Sequence, residues 1–388
     1  MAAASGRVDC QIVKILLTNF HEGDGGGHTT YLLALARGLA GAHEVHLAVP
    51  TGSRLYREAV ALDGVRTVAQ PFPNGVAQLA AAMRARRQLR DYLRTHAFDI
   101  VHVNGSTDHR MVLSACAGLA RKPKIVLTKH NSKPAQGVTH RWRAWRTDLV
   151  IAVSEATRRM LETGPYARCQ LRTVRNGIDA RHFLPWSDEA ARAERERWSG
   201  EGRLLLGSNA GTAEHKGWMD LVEAVATLPA AERARVDLLL CGKPPSPEQT
   251  RRIEALGLAV QVHFAGLLSD VRPMVAAIDA GFVLSYAVET ISFACREMMA
   301  MAKPVLISDY AGLPENIDDG IDGWRVPVRD RAAIAAAVAG MLEHPDQLRT
   351  MGEAARRKAE REFGLDRFIA STEAAYVALL PKVATAAA

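Results

Sequence analysis

Two runs of short apolar strands alternating with amphipathic helices, separated by one charged stretch, constrain this chain more than any other feature. In the first run, residues 12–17 read as a buried strand, a glycine-rich loop follows, and 29–39 carry helical periodicity. Strands continue at 44–49, 100–103, 124–128 and 149–153, with helices at 79–95 and 111–119 between some of them. The second run places strands at 203–208, 236–241, 260–264, 280–284, 304–308 and 323–326. Helices near 218–227, 247–255, 293–301 and 331–342 separate them. Parallel strands each need a crossover, usually a helix, so the alternation predicts sheets covered on both faces. The expected fold is α/β, with two tandem doubly wound domains at 1–182 and 201–364 and a polar linker at 183–200. Such domains hold ligands at the carboxyl ends of their strands, here in the cleft between them. The last segment, 365–388, forms a helix after the second domain is complete and is expected to return to the first.

Composition narrows the function. The 388 residues are 48% hydrophobic and 23% charged, ordinary values for a globular chain that buries a large core without staples. Cys10, Cys116, Cys169, Cys241 and Cys295 are scattered, with no CxxC and no Cys/His cluster. That argues against a disulfide framework or a zinc site and fits a reducing compartment. Arg7, Asp9 and Lys14 interrupt the first apolar run, and no stretch approaches the ~20 apolar residues of a spanning helix. The expectation is a cytoplasmic protein, soluble or peripherally attached at the inner face of a membrane. The net charge of +7 suits an anionic partner or simple solubility.

Glu289 and Glu297 stand eight apart in the segment 285–328, SYAVETISFACREMMAMAKPVLISDYAGLPENIDDGIDGWRVPV. On one helix they would lie roughly 80° out of register, so Glu289 belongs on the loop and Glu297 in the second turn. Thr290, Ile291 and Ser292 then offer backbone N–H groups at a helix start, where the dipole favours phosphate. Carboxylates suit sugar hydroxyls because each oxygen accepts hydrogen bonds. Lys216, in HKGW, adds a full positive charge at another helix start. The loop GDGGGHTTY, 23–31, is not a dinucleotide fingerprint: His28 holds the last glycine position and no acidic residue ends the second strand.

The glutamate pair, the run from Met299 to Val305, the GLPE turn and the DGIDGW segment together resemble the donor site of the family 4 GT-B glycosyltransferases. VSEATRRML (153–161), VRNGID (174–179) and HKGW (215–218) extend the likeness over essentially the whole chain. The resemblance implies two Rossmann-like domains, the first on the acceptor side and the second binding the nucleotide. It assigns Glu289 to the transferred sugar, Glu297 to the ribose, Lys216 to the donor phosphates, and Gly26 and Gly27 to the cleft opposite the pyrophosphate. His130, after a strand, would lie beside the sugar, and Asn104, Ser106 and His109 would border the acceptor. His102 reads as core. The family's usual arginine, five or six residues before the lysine, is replaced by Ala210 and Gly211. Ser208, Thr212 or backbone amides would have to compensate.

The resemblance further implies a retaining reaction in which the donor is a nucleotide-diphosphate sugar, expected to be UDP-linked and N-acetylated. A lipid-linked saccharide such as a lipopolysaccharide precursor is the expected acceptor. No Asp-x-Asp pair exists to hold a metal across the diphosphate, so neither metal nor other cofactor is expected. Arg84, Arg86, Arg87, Arg90 and Arg94 on one helix, and HRWRAWR at 140–146, suit an anionic membrane surface. A sugar-nucleotide epimerase of the same fold is the enzymatic alternative. A basic nucleic-acid-binding protein is the other, disfavoured because no recognised module appears.

Overall fold

The computed structural model describes residues 12–381. Arg7, Asp9 and Cys10, and residues 382–388 of the expected last helix, lie outside that range. Two wholly parallel sheets form the framework. The first has seven strands: β1 (Lys14–Thr18), β2 (Glu44–Val49), β3 (Val65–Ala69), β4 (Ile100–Val103), β5 (Lys124–Lys129), β6 (Leu149–Ala152) and β7 (Gln170–Thr173). Their spatial order is β3-β2-β1-β4-β5-β6-β7, which reverses direction between β1 and β4. Its helices are α1 (Gly26–Ala40), α2 (Arg54–Ala59), α3 (Leu79–His96), α4 (Ser106–Cys116), α5 (Val138–Ala144) and α6 (Glu155–Glu162). The central strands are almost continuously apolar because helices cover both their faces. The edge strands β3 and β7 are half exposed, so neither carries the apolar run that marks a strand in the sequence.

Residues 174–187 lead to α7 (Asp188–Arg195), inside the stretch that the sequence presents as a linker. Ser187 caps this helix by accepting from the amide of Ala190, and Arg195 pairs with Asp279 at 2.9 Å. The segment therefore docks on the second domain as a helix, since its charges find partners there.

The second sheet contains β8 (Leu204–Ser208), β9 (Val236–Cys241), β10 (Val262–Gly266), β11 (Ala280–Val283), β12 (Val305–Ser308) and β13 (Gly323–Val326). It runs β10-β9-β8-β11-β12-β13, with its own reversal between β8 and β11. Around it pack α8 (Trp218–Ala226), α9 (Ala230–Arg233), α10 (Pro247–Ala255), α11 (Arg272–Ala277), α12 (Phe293–Ala300), α13 (Arg331–Glu343) and α14 (Pro345–Phe363).

The last helix, α15 (Leu365–Val377), crosses back to the first domain. Phe368 and Tyr376 are buried in that domain's core, and burying a side chain the size of Phe368 contributes about 1.5–3 kcal/mol. The Tyr376 hydroxyl lies 2.6 Å from His102 Nδ1. Gly38 makes the contact with α15 possible, because a Cβ there would stand 2.0 Å from Ile369. The two interdomain crossings run side by side: the Ile178 amide donates to the Phe363 carbonyl at 2.8 Å. Beneath them the fully buried Arg296 donates to Asn316 Oδ1 and to the Asn176 carbonyl, and lies 4.0 Å over the Phe363 ring. Burial pushes this guanidinium down to about 9.

Candidate functional site

The loop from Ser285 to Ser292 joins β11 to α12 at the carboxyl end of the second sheet. Val288 (φ 54) and Ser292 (φ 49) both adopt left-handed backbone, which is costly for a β-branched residue and bends the loop so that Glu289 turns inward. Glu289 is buried, and its Oε2 accepts from Lys216 Nζ at 2.7 Å and from Ser285 Oγ at 3.4 Å. Its Oε1 accepts the Thr290 amide at 3.1 Å. Lys216 sits in a 3-10 turn ahead of α8 and is followed by Gly217 at φ 72. A Cβ on Gly217 would fall 2.0 Å from the Leu284 carbonyl, so only glycine lets the lysine turn approach the β11 loop. The Tyr286 amide, donating to the His215 carbonyl at 3.0 Å, fastens the two loops together.

Glu297 projects from the second turn of α12, where its Oε2 accepts from Asn209 Nδ2 at 2.6 Å. Burial pushes this carboxyl up to about 7. Thr290, Ile291 and Ser292 are buried just before the helix, and Ser292 Oγ caps it by accepting the Cys295 amide.

The first domain supplies the facing wall. Gly26 and Gly27 begin α1, and a Cβ on Gly27 would stand 3.3 Å from the Phe293 ring, which places this turn directly against the start of α12. The rings of His21, His28 and His130 form a stack with successive centroids 4.3 Å apart. Burial and His21 push His28 down to about 3, and burial with the neighbouring histidines pushes His130 well below the usual range. His28 and His130 are therefore neutral at physiological pH. The Thr290 hydroxyl donates to the His130 carbonyl at 3.3 Å, so the Glu289 loop reaches the first domain directly. A second bridge comes from Glu315, whose carboxylate accepts the Glu155 and Ala156 amides at 2.9 and 2.8 Å and so caps α6 from the other domain. Gly312 permits this contact, because a Cβ there would meet the Thr290 carbonyl at 2.7 Å and Ser154 Cβ at 2.8 Å.

The three expected acceptor residues are not equivalent. Ser106 is exposed at the start of α4 beside a cavity of 120 Å³ that His28 and His130 also line. Asn104 and His109 border the same cavity but are buried. His109 Nε2 is 3.0 Å from the Thr147 hydroxyl, and burial pushes it down to about 3. It stands in the wall rather than at an exposed surface where a saccharide would touch it. Asn104 is a positioning residue: its Oδ1 holds His130 Nε2 at 2.9 Å, while its Nδ2 donates to the Thr18 carbonyl. Behind it the fully buried Asp108 accepts from the Asn104 amide and the Thr18 hydroxyl. Burial raises Asp108 to about 7.

A groove of 710 Å³ lies at the opposite end of the second sheet, near the starts of its strands. It holds none of these carboxylates. Its size reflects the gap between α7, α11 and α14 rather than the chemistry of the cleft. Sequence reasoning missed Asn209, Glu315, His21 and His28 as parts of the site. Glu315 was visible in the GLPE turn, but nothing in its spacing indicates that it caps a helix of the other domain.

Known families and structures match most of the chain. Residues 25–182 match Glycosyltransferase Family 4, and residues 193–358 match Glycosyl transferases group 1. The phosphatidyl-myo-inositol mannosyltransferase of Mycolicibacterium smegmatis is 28% identical over 340 residues, covering 84% of this chain and 83% of that protein. The N-acetyl-alpha-D-glucosaminyl L-malate synthase of Bacillus anthracis is 26% identical over 295 residues, covering 73% of this chain and 75% of that one. Among solved structures, HepE of Anabaena in complex with UDP superposes with a TM-score of 0.79 at 19% identity, covering 95% of this chain and 100% of that one. That likeness concerns the fold. With both halves matched, the chain belongs to the family 4, group 1 glycosyltransferases of GT-B fold, enzymes that transfer a hexosyl unit from a nucleotide sugar.

Proposed function

We propose that this enzyme moves an N-acetylated hexose from a UDP-sugar to a lipid-linked saccharide, such as a lipopolysaccharide precursor, with retention and without a metal. The observation that carries the reading is the Lys216–Glu289 pair, 2.7 Å apart on two interlocked loops that face His130 across the cleft. A diphosphate competes with Glu289 for Lys216. Once the ammonium turns to phosphate, Glu289 is released to accept sugar hydroxyls. Glu297, near its midpoint at neutral pH, can both donate to and accept from ribose hydroxyls.

In the front-face reaction, the acceptor oxygen bonds to the anomeric carbon as the bond to the diphosphate breaks on the same side. The leaving phosphate oxygen takes the acceptor's proton. Lys216 and the start of α8 stabilise the charge that develops on the diphosphate. Neutral His130 offers hydrogen bonding without adding charge beside the sugar.

The glucosaminyl relative and the UDP-bound neighbour favour the donor assignment, and the phosphatidylinositol relative favours an acceptor at a lipid surface. No helix among the described residues is long and apolar enough to cross a membrane. An apolar and basic face suits attachment instead: Val76, Leu79 and Met83 are exposed near Arg84, Arg86 and Arg87. Trp142 and Trp145 flank Arg146 at 4.8 and 4.7 Å.

Thermal shift with UDP-, GDP-, dTDP- and CMP-sugars in EDTA tests the donor. UDP-N-acetylhexosamine should give the largest rise by mass action. A larger rise with GDP-mannose, or transfer that EDTA abolishes and magnesium restores, overturns the corresponding part of the proposal.

A further inference from the structure

Far from the cleft, three side chains converge at the amino-terminal end of the first sheet. Glu44, His46 and His96 each present one ligating atom within 4.8 Å of the others. Glu44 and His46 are two apart on β2, so the two-residue period of a strand points both toward the face that α3 covers. His96 ends α3, and Ala97 (φ 50) then turns the chain toward β4. His46 Nε2 lies 3.1 Å from Glu44 Oε1, and the His46 and His96 rings meet edge to face at 5.0 Å.

The surrounding groups already orient these donors. The Tyr92 hydroxyl is 2.6 Å from His46 Nδ1, which fixes the buried ring with Nε2 toward Glu44. Lys14 Nζ holds Glu44 Oε2 at 3.0 Å, leaving Oε1 for the histidine side. The hydroxyl on the remote ring nitrogen and the ammonium on the remote carboxylate oxygen are outer hydrogen bonds that orient the ligand atoms, as the second layer of a metal centre does.

We propose that Glu44, His46 and His96 bind a divalent cation of the zinc class, with solvent completing the coordination. Two imidazoles and one carboxylate suit zinc, whereas calcium and magnesium take all-oxygen sets. Without the cation, His46 Nε2–H donates to Glu44 Oε1 and the Tyr92 hydroxyl donates to Nδ1. When the cation takes the Nε2 lone pair, the ring proton resides on Nδ1 and donates to the Tyr92 oxygen. Lys14, and Arg66 opposite His46 on β3, add positive charge and moderate the affinity. The bound cation would rivet β2 to the end of α3 and take no part in transfer.

The test uses untagged full-length protein stripped with chelator, zinc titration calorimetry and melting temperature with and without zinc. Wild type should bind one equivalent at this site and melt higher in zinc. His96→Ala and the isosteric Glu44→Gln should melt as wild type does without zinc, yet lose at least about tenfold in zinc affinity and most of the zinc-dependent rise. Tyr92→Phe, which removes only the orienting hydroxyl, should lose about tenfold. His21→Ala, in the cleft, should leave this binding unchanged. Absence of a zinc-dependent rise in wild type overturns the proposal. So does undiminished binding in both His96→Ala and Glu44→Gln, or binding that His21→Ala removes.

Discussion

Glu289 and Lys216 satisfy each other's charge in a site with little solvent, so each depends on the other until a donor intervenes. Lys216→Ala removes the cation facing the leaving diphosphate and should lower kcat about 100- to 1000-fold, the range seen when one stabilising group is deleted. Glu289→Gln keeps the shape but weakens the grip on sugar hydroxyls and should also lose most turnover. Both variants should keep the wild-type melting temperature within a few degrees, measured beside the rate, and near wild-type rates in either would contradict its assigned role. Asp108 gives a prediction about pH. Its folded pKa of about 7 lies above its unfolded value, so the folded state holds more protons between them. Its contribution to stability therefore falls as pH rises from about 4 to about 7 and is constant above that range. Asp108→Asn should remove that decline, read from urea unfolding at pH 5.5 and 8. A variant that keeps the wild-type pH slope would count against the assignment.

At the scale of elements, the contacts between domains come from short segments at helix starts. Glu315 reaches across to cap α6, and the Thr290 hydroxyl reaches the His130 carbonyl. Losing an N-cap costs about 0.5–2 kcal/mol. Here the cap joins two domains, so its loss should appear in closure. Glu315→Ala should weaken nucleotide binding several-fold and increase the radius of gyration in solution scattering, while circular dichroism stays unchanged. The elements themselves were unevenly legible. The interior strands and the helices starting at Trp218, Pro247 and Phe293 announced themselves through apolar runs and caps. The edge strands β3 and β7 did not, because one-sided exposure dilutes their pattern. The polar helix α7 passed as a linker because its partners, Asp279 and the Ala277 carbonyl, are distant in sequence.

For the whole molecule, α15 is the clasp. It follows the second domain in sequence but completes the core of the first. A chain ending at Phe363 should lose cooperative unfolding of the first domain, because α1 would expose the apolar face that Phe368 and Tyr376 cover. Tyr376→Phe, which only unpairs buried His102 Nδ1, should cost about 1–3 kcal/mol in urea unfolding. The sequence by itself determined the α/β class and the tandem arrangement, because periodicity is a local property, while its likeness to a known family singled out Glu289, Glu297 and Lys216 as the candidates. Only the tertiary structure decided that Asn104 supports His130, that His109 is walled in, that Glu315 caps the opposite domain, and that Glu44, His46 and His96 meet. Those relations join residues tens to well over a hundred positions apart, and folding, rather than any local pattern, sets the distances between them.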